Sequence, residues 1–451
     1  MSGRPELPRV LGLWDTTCVV IGAIIGVGIF FSPRDVARFT GSAEGAMLAW
    51  AIGGLIALLG AFTFAELGRL RPLAGGQYHV LRDAYGPAPA FLFVFCNLTA
   101  VQAGAVAIIA LLCAQNLGVA LHGGEPAGRW VGGLGTALVW GLVGVNLLGA
   151  RLGARVQSVS VVLKLATLAG LVVLAAATPP GPGAATAAVR AAPPGFAGLF
   201  AGVTVTLFAY GGWQQALWVS GEVVGAARVV PRAILLGVGV VLVAYLTANW
   251  AYLDLLGFAG TRDAGALTAD AFSVAWPGAG RRVAAAAVAA SAFGVLNVQF
   301  QTGPRLTWAM AQDGRFFAAF GALDPRFRTP APAIFLLGGL ASALLLGLGL
   351  ERTDLLTTGV VVVDAAFFAL TGLALPLLRR RTGPAARGPA WIGVAAVTFA
   401  LLELLAIAGS VLARDARLIA LSGLAWIGAG ALTWWAFFRR RGTGPAAAAD
   451  A

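Results

Sequence analysis

The stretch VVIGAIIGVGIFFSP, Val19 to Pro33, is almost wholly apolar and places Gly22, Gly26 and Gly28 about its centre. A second stretch, TVTLFAYGGWQQALWV, Thr204 to Val219, has Gly211 and Gly212 in the same position. Glycine tolerates backbone angles that other residues avoid, so a helix unwinds there at low cost. In lipid an unwound segment leaves N–H and C=O groups without partners. Such segments are tolerated only where they line a cavity or meet a ligand. Plain packing is the competing explanation, because Gly22-x-x-x-Gly26 also lets two helices approach closely. The recurrence of a glycine centre five spans later favours interruption. A dinucleotide-binding reading of these glycines fails for want of a strand–turn–helix context.

Composition puts both stretches in a membrane. Apolar residues make up 59% of the 451 and charged residues 11%, whereas a soluble domain carries about 25% charged residues to cover its surface. Roughly twelve apolar runs are long enough to span a bilayer. They lie at about 13–35, 43–69, 88–120, 130–149, 156–177, 197–221, 232–258, 283–312, 332–350, 354–378, 389–412 and 417–438. The first run, from near Leu13 through Phe31, has no A-x-A-like site behind it and is not read as a cleaved signal. The expected fold class is therefore an all-α integral membrane protein of twelve transmembrane helices. Residues 1–12 form an N-terminal segment, and the tail 439–451 is low in complexity and expected to be disordered. A Pro/Ala/Gly loop, Pro179 to Pro194, separates spans 5 and 6.

The net charge of +12 reports topology. With the N-terminus inside, twenty of the thirty arginines fall in loops on the inner side, including Arg69, Arg71, Arg82, Arg305 and Arg379 to Arg381, and ten on the outer. Positive loops stay in the cytoplasm, so both termini are expected there, in a cell (inner) membrane. Basic residues do not interleave with aromatics as they do in RNA-binding chains, so no nucleic-acid partner is expected. Cys18, Cys96 and Cys113 sit in apolar runs and read as small packing residues, and His79 and His122 are far apart in loops. No cofactor or metal is called for. A membrane enzyme would need His, Cys or acids clustered at one depth, and none is evident.

Because five is odd, the second half of the chain enters the membrane from the opposite side. Two half-chains of five spans, each opening with an interrupted helix, form the signature of an inverted-repeat transporter. The repeats are residues 13–177 and 197–378, followed by accessory helices at 389–438. The chemistry follows from the interruption. Freed amides at Gly26, Val27 and Gly28 open the outer half-helix and suit a carboxylate. Freed carbonyls near Ile24, Phe208 and Ala209 suit an ammonium group. A ligand with both groups a few ångströms apart is an α-amino acid. Phe208 and Trp213 flank the second interruption, and Trp213 either closes over a substrate or simply packs. Spans 1, 3 and 6 carry no acid near their centres, which favours zwitterionic, neutral substrates.

One residue stands apart. Lys164 is the only lysine, and it sits at least about eight residues from either end of its span, beyond the roughly 6 Å that its arm can snorkel. A charge at mid-membrane costs about 2.5–3.5 kcal/mol or more, so Lys164 is expected to face the bundle interior and meet carbonyls or a carboxylate. Asp364 in span 10 either gates, accepts a proton or hydrogen-bonds a neighbouring helix. Glu403 in span 11 reads as part of the accessory helices. Glu66, Glu222, Arg305 and Asp313 lie at inner helix ends, as gate or as boundary anchor.

Five ordered segments resemble one family. They are GAIIGVGIFFSP (22–33), FAELGRLRPLAGGQYHVLRDAYGP (64–87), NLLGARLGARVQSVSVVLKLATLAG (146–170), FAYGGWQQALWVSGEVVGAARVVPRAI (208–234) and GPRLTWAMAQDGRF (303–316). The chain resembles the amino acid–polyamine–organocation transporters, closest to the L-amino-acid-transporter branch, over about residues 10–380. That resemblance implies a leucine-transporter-type 5+5 inverted repeat with two additional helices. It also implies sodium-independent amino acid transport by alternating access, as an exchanger or with protons. Ile24, Gly26, Val27 and Gly28 map to the first-span substrate site. Phe208, Ala209 and Gly211 map to the sixth-span site, with Phe208 as gate. Val27 stands where the family often has serine, so only backbone is left to hold the carboxylate there. Gln214 stands where relatives vary and is a candidate for side-chain choice, and Asn297 and Gln299 are further span 8 candidates. Lys164 matches a fifth-span lysine that stands in for a sodium ion, as a tether on the first span. Two other roles remain open for it, the proton-linked residue of a symporter and a structural contact. The partners implied are a small amino acid and membrane lipid, and no partner subunit is named.

Overall fold

The computed structural model describes residues 6–179, 195–348, 353–381, 388–412 and 417–439. The loop expected up to Pro194 and the tail after Arg441 fall, apart from Pro179, outside the described residues. Within them the chain is helical, with one isolated parallel bridge between Leu11 and Val223. The helices are α1 (Leu13–Ile24), α2 (Ser32–Thr40), α3 (Ala43–Leu70), α4 (Gly76–Tyr85), α5 (Pro87–Cys96), α6 (Ala103–His122), α7 (Gly128–Leu147) and α8 (Ala150–Ala177). There follow α9 (Phe196–Tyr210), α10 (Gln215–Trp218), α11 (Ala226–Asp263), α12 (Leu267–Ala275), α13 (Gly280–Gln312), α14 (Ala331–Leu348), α15 (Thr353–Arg381), α16 (Ala390–Leu412) and α17 (Arg417–Thr433). Among the described residues ten helical segments are long and apolar enough to cross a membrane, and α1 and α14 are shorter apolar helices. A helix is what such sequences must form in hydrocarbon, because it satisfies every backbone group within its own segment.

Side chains sort between protein and lipid rather than between core and water. On α8, Gln157, Ser160, Lys164, Leu168 and Leu171 are buried, while Val159, Val162, Leu163 and Val173 are exposed. A soluble helix would carry its polar groups outward. Two apolar cores result, and α13 contributes to both, through Val298 and Leu306 to one and through Leu296 and Phe300 to the other. It is accordingly among the most enclosed of the crossing helices, with 67% of its apolar window buried against 17% for the last.

The two glycine-rich stretches interrupt their helices. The first ends at Ile24, Ile25 leaves the helical region (φ −71°, ψ 88°), and a 3₁₀ turn over Gly28–Phe30 leads into α2. The second ends at Tyr210, after which Gly211 is extended (ψ 156°) and Gly212 takes φ +130°. A Cβ on Gly212 would lie 2.7 Å from the carbonyl carbon and oxygen of Ala23, so the two interruptions touch. Some boundaries differ from expectation. Span 5 begins at Ala150 instead of 156, because Arg151 and Arg155 sit in the first turns of α8. Lys164 is therefore fourteen residues from one end and thirteen from the other. Two further helices, α4 and α12, occupy loops that carry no spanning signal.

The start of span 1 and the end of span 6 are stitched together. Glu222 O accepts from the amides of Val10 (2.8 Å) and Leu11 (2.9 Å), and the Val224 amide donates to Leu11 O at 2.9 Å. Beside them Arg305 of α13 forms a two-pronged ion pair with Glu222 (3.1 and 3.0 Å), with both side chains fully buried. Arg82 of α4 pairs with Asp313 and Asp83, and Arg71 reaches Asp83 at 2.7 Å. Glu66 holds Arg69 (2.8 Å) and Arg379 (2.7 Å). Burial, and then the charge of Arg82, push the His79 imidazole down to about 4.

Two outcomes follow from this geometry. Gly212→Ala places a side chain in a left-handed conformation against backbone, a strain on the order of 1–3 kcal/mol. Its melting midpoint in detergent is expected to fall by several degrees, whereas Gly239→Ala, which would meet no atom within 4 Å, leaves it unchanged. Equal midpoints would dismiss the strain. For His79 the folded value lies below the ordinary 6.5. The unfolded chain therefore binds the proton first, and stability drops as pH falls from about 6.5 towards 4. His79→Gln is expected to flatten the midpoint-versus-pH curve in that window, and a parallel curve would contradict the assignment.

Candidate functional site

The two interruptions face one cavity of about 200 Å³. Ile24, Gly26, Val27 and Gly28 form one wall, and Phe208, Ala209, Gly211 and Gln214 another. Gln299 of α13 and Val101 and Gln102 of the segment between α5 and α6 close a third side. That segment, Asn97–Gln102, is a π-helical turn, a local irregularity often found at functional sites. The last wall comes from α15 and α16, with Asp364, Phe368 and Glu403. Phe208 is half-exposed at 51% and lines the cavity.

Every peptide group at the first interruption can be accounted for. On the carbonyl side, Lys164 Nζ donates to Gly22 O (3.0 Å) and Ile25 O (2.6 Å). Tyr245 of α11 donates its hydroxyl to Ile24 O (3.0 Å) and Ala209 O (3.3 Å), bridging the two interruptions. Ser291 of α13 donates to Gly26 O at 3.1 Å. On the amide side, the Ile25 N–H returns to Ile21 O and the Gly26 N–H faces the Tyr245 hydroxyl, but the N–H groups of Val27 and Gly28 meet no protein acceptor among the described residues. Two open amides in succession at the mouth of a helical turn carry partial positive charge and suit an anion. The carbonyls of Ile24 and Ala209, expected to meet an ammonium group directly, are each already engaged by Tyr245. Each retains a second lone pair.

The remaining candidates divide. Gln214 lines the cavity and also accepts from the Gly212 amide at 3.0 Å, so it shapes the second turn. Gln299 accepts from Gln215 (2.9 Å), which in turn accepts from Thr302 (2.7 Å). Trp213 is buried outside the cavity, stacked on Phe368 at 5.8 Å. Asn297 likewise lies behind the wall, joining α7, α8 and α13 through Asn146, Gln157 and the Gly153 carbonyl. Lys164 is 1% exposed and stands behind the first interruption, not in the cavity. Asp364 does reach the cavity, and so does Glu403, which by sequence reads as part of the accessory helices. The sequence does not single out Tyr245 or Ser291 either. Tyr245 is followed by Thr247, Asn249 and Tyr252 in the same span, so the sequence does not mark it as it marks Lys164.

Comparison with known proteins agrees with this architecture. The family model described as amino acid permease matches residues 11–432. The mouse b(0,+)-type amino acid transporter 1 is 31% identical over 356 residues, covering 74% of this chain and 69% of that protein. The serine/threonine exchanger SteT of Bacillus subtilis (strain 168) is 28% identical over 423 residues, covering 92% of each. The human cystine/glutamate transporter is 27% identical over 357 residues, or 76% of this chain and 69% of that one.

Proposed function

The chain belongs to the amino acid permease family, a family of membrane transporters and not enzymes, and on that premise we propose that it is a sodium-independent exchanger of L-amino acids. It would work by alternating access across the cytoplasmic membrane with both termini inside. Counting the interrupted first span and α14 as crossings gives twelve helices, with 13–177 and 197–378 as inverted repeats and 389–438 as an accessory pair.

One observation carries the reading. At the cavity the protein satisfies the carbonyls of an interrupted helix from behind and leaves the amides of Val27 and Gly28 unpaired among the described residues. A cavity with that asymmetry takes an anionic group, and a substrate carboxylate fits it. Its ammonium group would share the second lone pairs of Ile24 and Ala209. Phe208, half-exposed on the cavity wall, would serve as the lid. Lys164 would fill the place of a coupling cation. Its two carbonyl bonds, with no carboxylate partner among the described residues, favour a tether over a proton carrier. The expectation of a neutral side chain rests on the absence of acids in spans 1, 3 and 6. Asp364 and Glu403 reach the cavity from α15 and α16 and remove that ground.

In proteoliposomes, radiolabelled amino acid uptake is expected to need internal amino acid and to be indifferent to sodium. Uptake that requires sodium, or that proceeds equally into empty vesicles, would defeat the proposal. Lys164→Ala is expected to slow exchange at least about tenfold while binding changes less, because it removes a support of the cycle and not a substrate contact. A Cβ on Gly28 would meet only ordinary contacts, at 3.7 Å or more, so Gly28→Ala should still bind. Gly28→Leu is expected to weaken binding at least about tenfold, or 1.4 kcal/mol, in a scintillation-proximity assay.

A further inference from the structure

The cavity wall built by α15 and α16 is acidic, and none of the described residues neutralises it. Asp364 and Glu403 both line the cavity, and among the described residues no lysine or arginine does. Neither carboxylate makes a hydrogen bond or ion pair among the described residues. Glu403 is 6% exposed, so its side chain is more than nine-tenths buried yet opens onto the cavity. The arginines of α15, Arg379 to Arg381, lie in its last turn at the inner end and are remote from Asp364.

Depth along the helices places these acids level with the interruptions. Asp364 is eleven residues inside the outer end of α15, and Glu403 nine residues inside the outer end of α16. Phe208 is twelve residues inside the outer end of α9. At 1.5 Å per residue these are depths of about 16, 14 and 18 Å. Burying an unpaired carboxylate is expensive, and two on one wall disfavour each other's charge. The expense falls when a cation enters between them. The cavity is thus bipolar, with the unpaired amides of Val27 and Gly28 on one wall and two unpaired carboxyl groups on another.

We infer that Asp364 and Glu403 form a subsite for a cationic side chain, so that the preferred substrates are amino acids ending in a guanidinium or ammonium group. This rests on the reading of the cavity as the substrate site and adds the substrate's class to it. An arginine-like molecule would set its carboxylate on the amides of Val27 and Gly28 and its guanidinium between the two acids, where planar, bidentate pairing with carboxylate is available.

The discriminating probes are arginine and citrulline, which have nearly the same shape but differ in side-chain charge. Exchange of both is measured in proteoliposomes holding the full chain. The expected result is a KM for arginine at least about tenfold below that for citrulline, the size of effect that a close, desolvated charge pair supplies. Asp364→Asn and Glu403→Gln are each expected to shrink that ratio severalfold, and Glu403→Asp to keep most of it. A wild-type ratio at or below one overturns the subsite even if neither variant folds. A wild-type preference for arginine that neither folded variant moves also overturns it. So does neutral amino acid uptake driven by a pH gradient and abolished in both variants, which would make the acids proton carriers. In all three cases the transporter reading stands. If the wild type moves no amino acid at all, that reading falls and takes the subsite with it.

Discussion

An interrupted helix in a membrane must have its loose peptide groups met by something, and this requirement organises the whole bundle. Each unsatisfied group in hydrocarbon costs several kcal/mol, so the interruption over Ile25 to Val27 persists only because three other helices reach into it. The support from α8 is Lys164, from α11 Tyr245 and from α13 Ser291, and all three donate to carbonyls. Room for this is made by small residues. A Cβ on Gly294 would lie 1.8 Å from Ser160 Oγ and 2.8 Å from Lys164 Cε, so α13 can press against the lysine arm only as glycine there. Lys164 is tolerable at this depth because the carbonyls it meets are themselves in need of a donor. The lysine and the interruption each lower the cost of the other.

The supports are one-sided. They supply mainly donors: only the Gly26 N–H meets an acceptor, the Tyr245 hydroxyl, and the amides of Val27 and Gly28 stay open toward the cavity. Had the neighbouring helices supplied carbonyls or carboxylates there, the interruption would be a closed structural knot. Its polarity therefore belongs to the design of the cavity, and the acids on α15 and α16 line another wall. On the proposed reading, a cavity built in this way discriminates by where a ligand carries its charges, and less by its bulk.

What the sequence made legible was whatever broke an apolar pattern. The glycine centres, the lone lysine and the acid in span 10 are each conspicuous against their surroundings, and each lies at or beside the cavity or the interruption it borders. What stayed hidden were residues whose role depends on which face of a helix meets which neighbour. Trp213 adjoins Gly212 in the chain yet turns away to stack on Phe368, because the residue after the left-handed glycine reverses direction. Asn297 and Gln299 are two apart on α13, so they point to different faces, and only Gln299 reaches the cavity. Glu403 looked peripheral because α16 follows the ten spans with family signal. Its packing on α3 and α15 brings one face of it inward at a position that the sequence of α16 alone does not mark. The loop helices α4 and α12 carry no spanning pattern, and their short apolar faces are set by what they cap.

The bonds at the interruptions also say which parts can move together. Gly212 packs directly on the Ala23 backbone, Tyr245 holds Ile24 and Ala209 at once, and Leu11 pairs with Val223 at the inner end. Spans 1, 6 and 7 are thus joined to one another at two depths by bonds that need not change. The bonds from these spans to α8 and α13 are of another kind: Lys164 to Gly22 and Ile25, Ser291 to Gly26, Gln215 to Gln299 and Thr302, and the buried Arg305–Glu222 pair. On the proposed reading, rocking one body against the other must lengthen or exchange these last four sets. A buried ion pair broken in place leaves two charges without partners, at a cost of several kcal/mol, so the inner end cannot open unless water or new partners arrive as it does. On the same reading, a ligand carboxylate beside Ile25 would act on the Lys164 bonds at the same interruption. The peptide groups proposed to grip the substrate are one or two residues from those that hold the bodies together, and this proximity would give the ligand mechanical purchase on the transition.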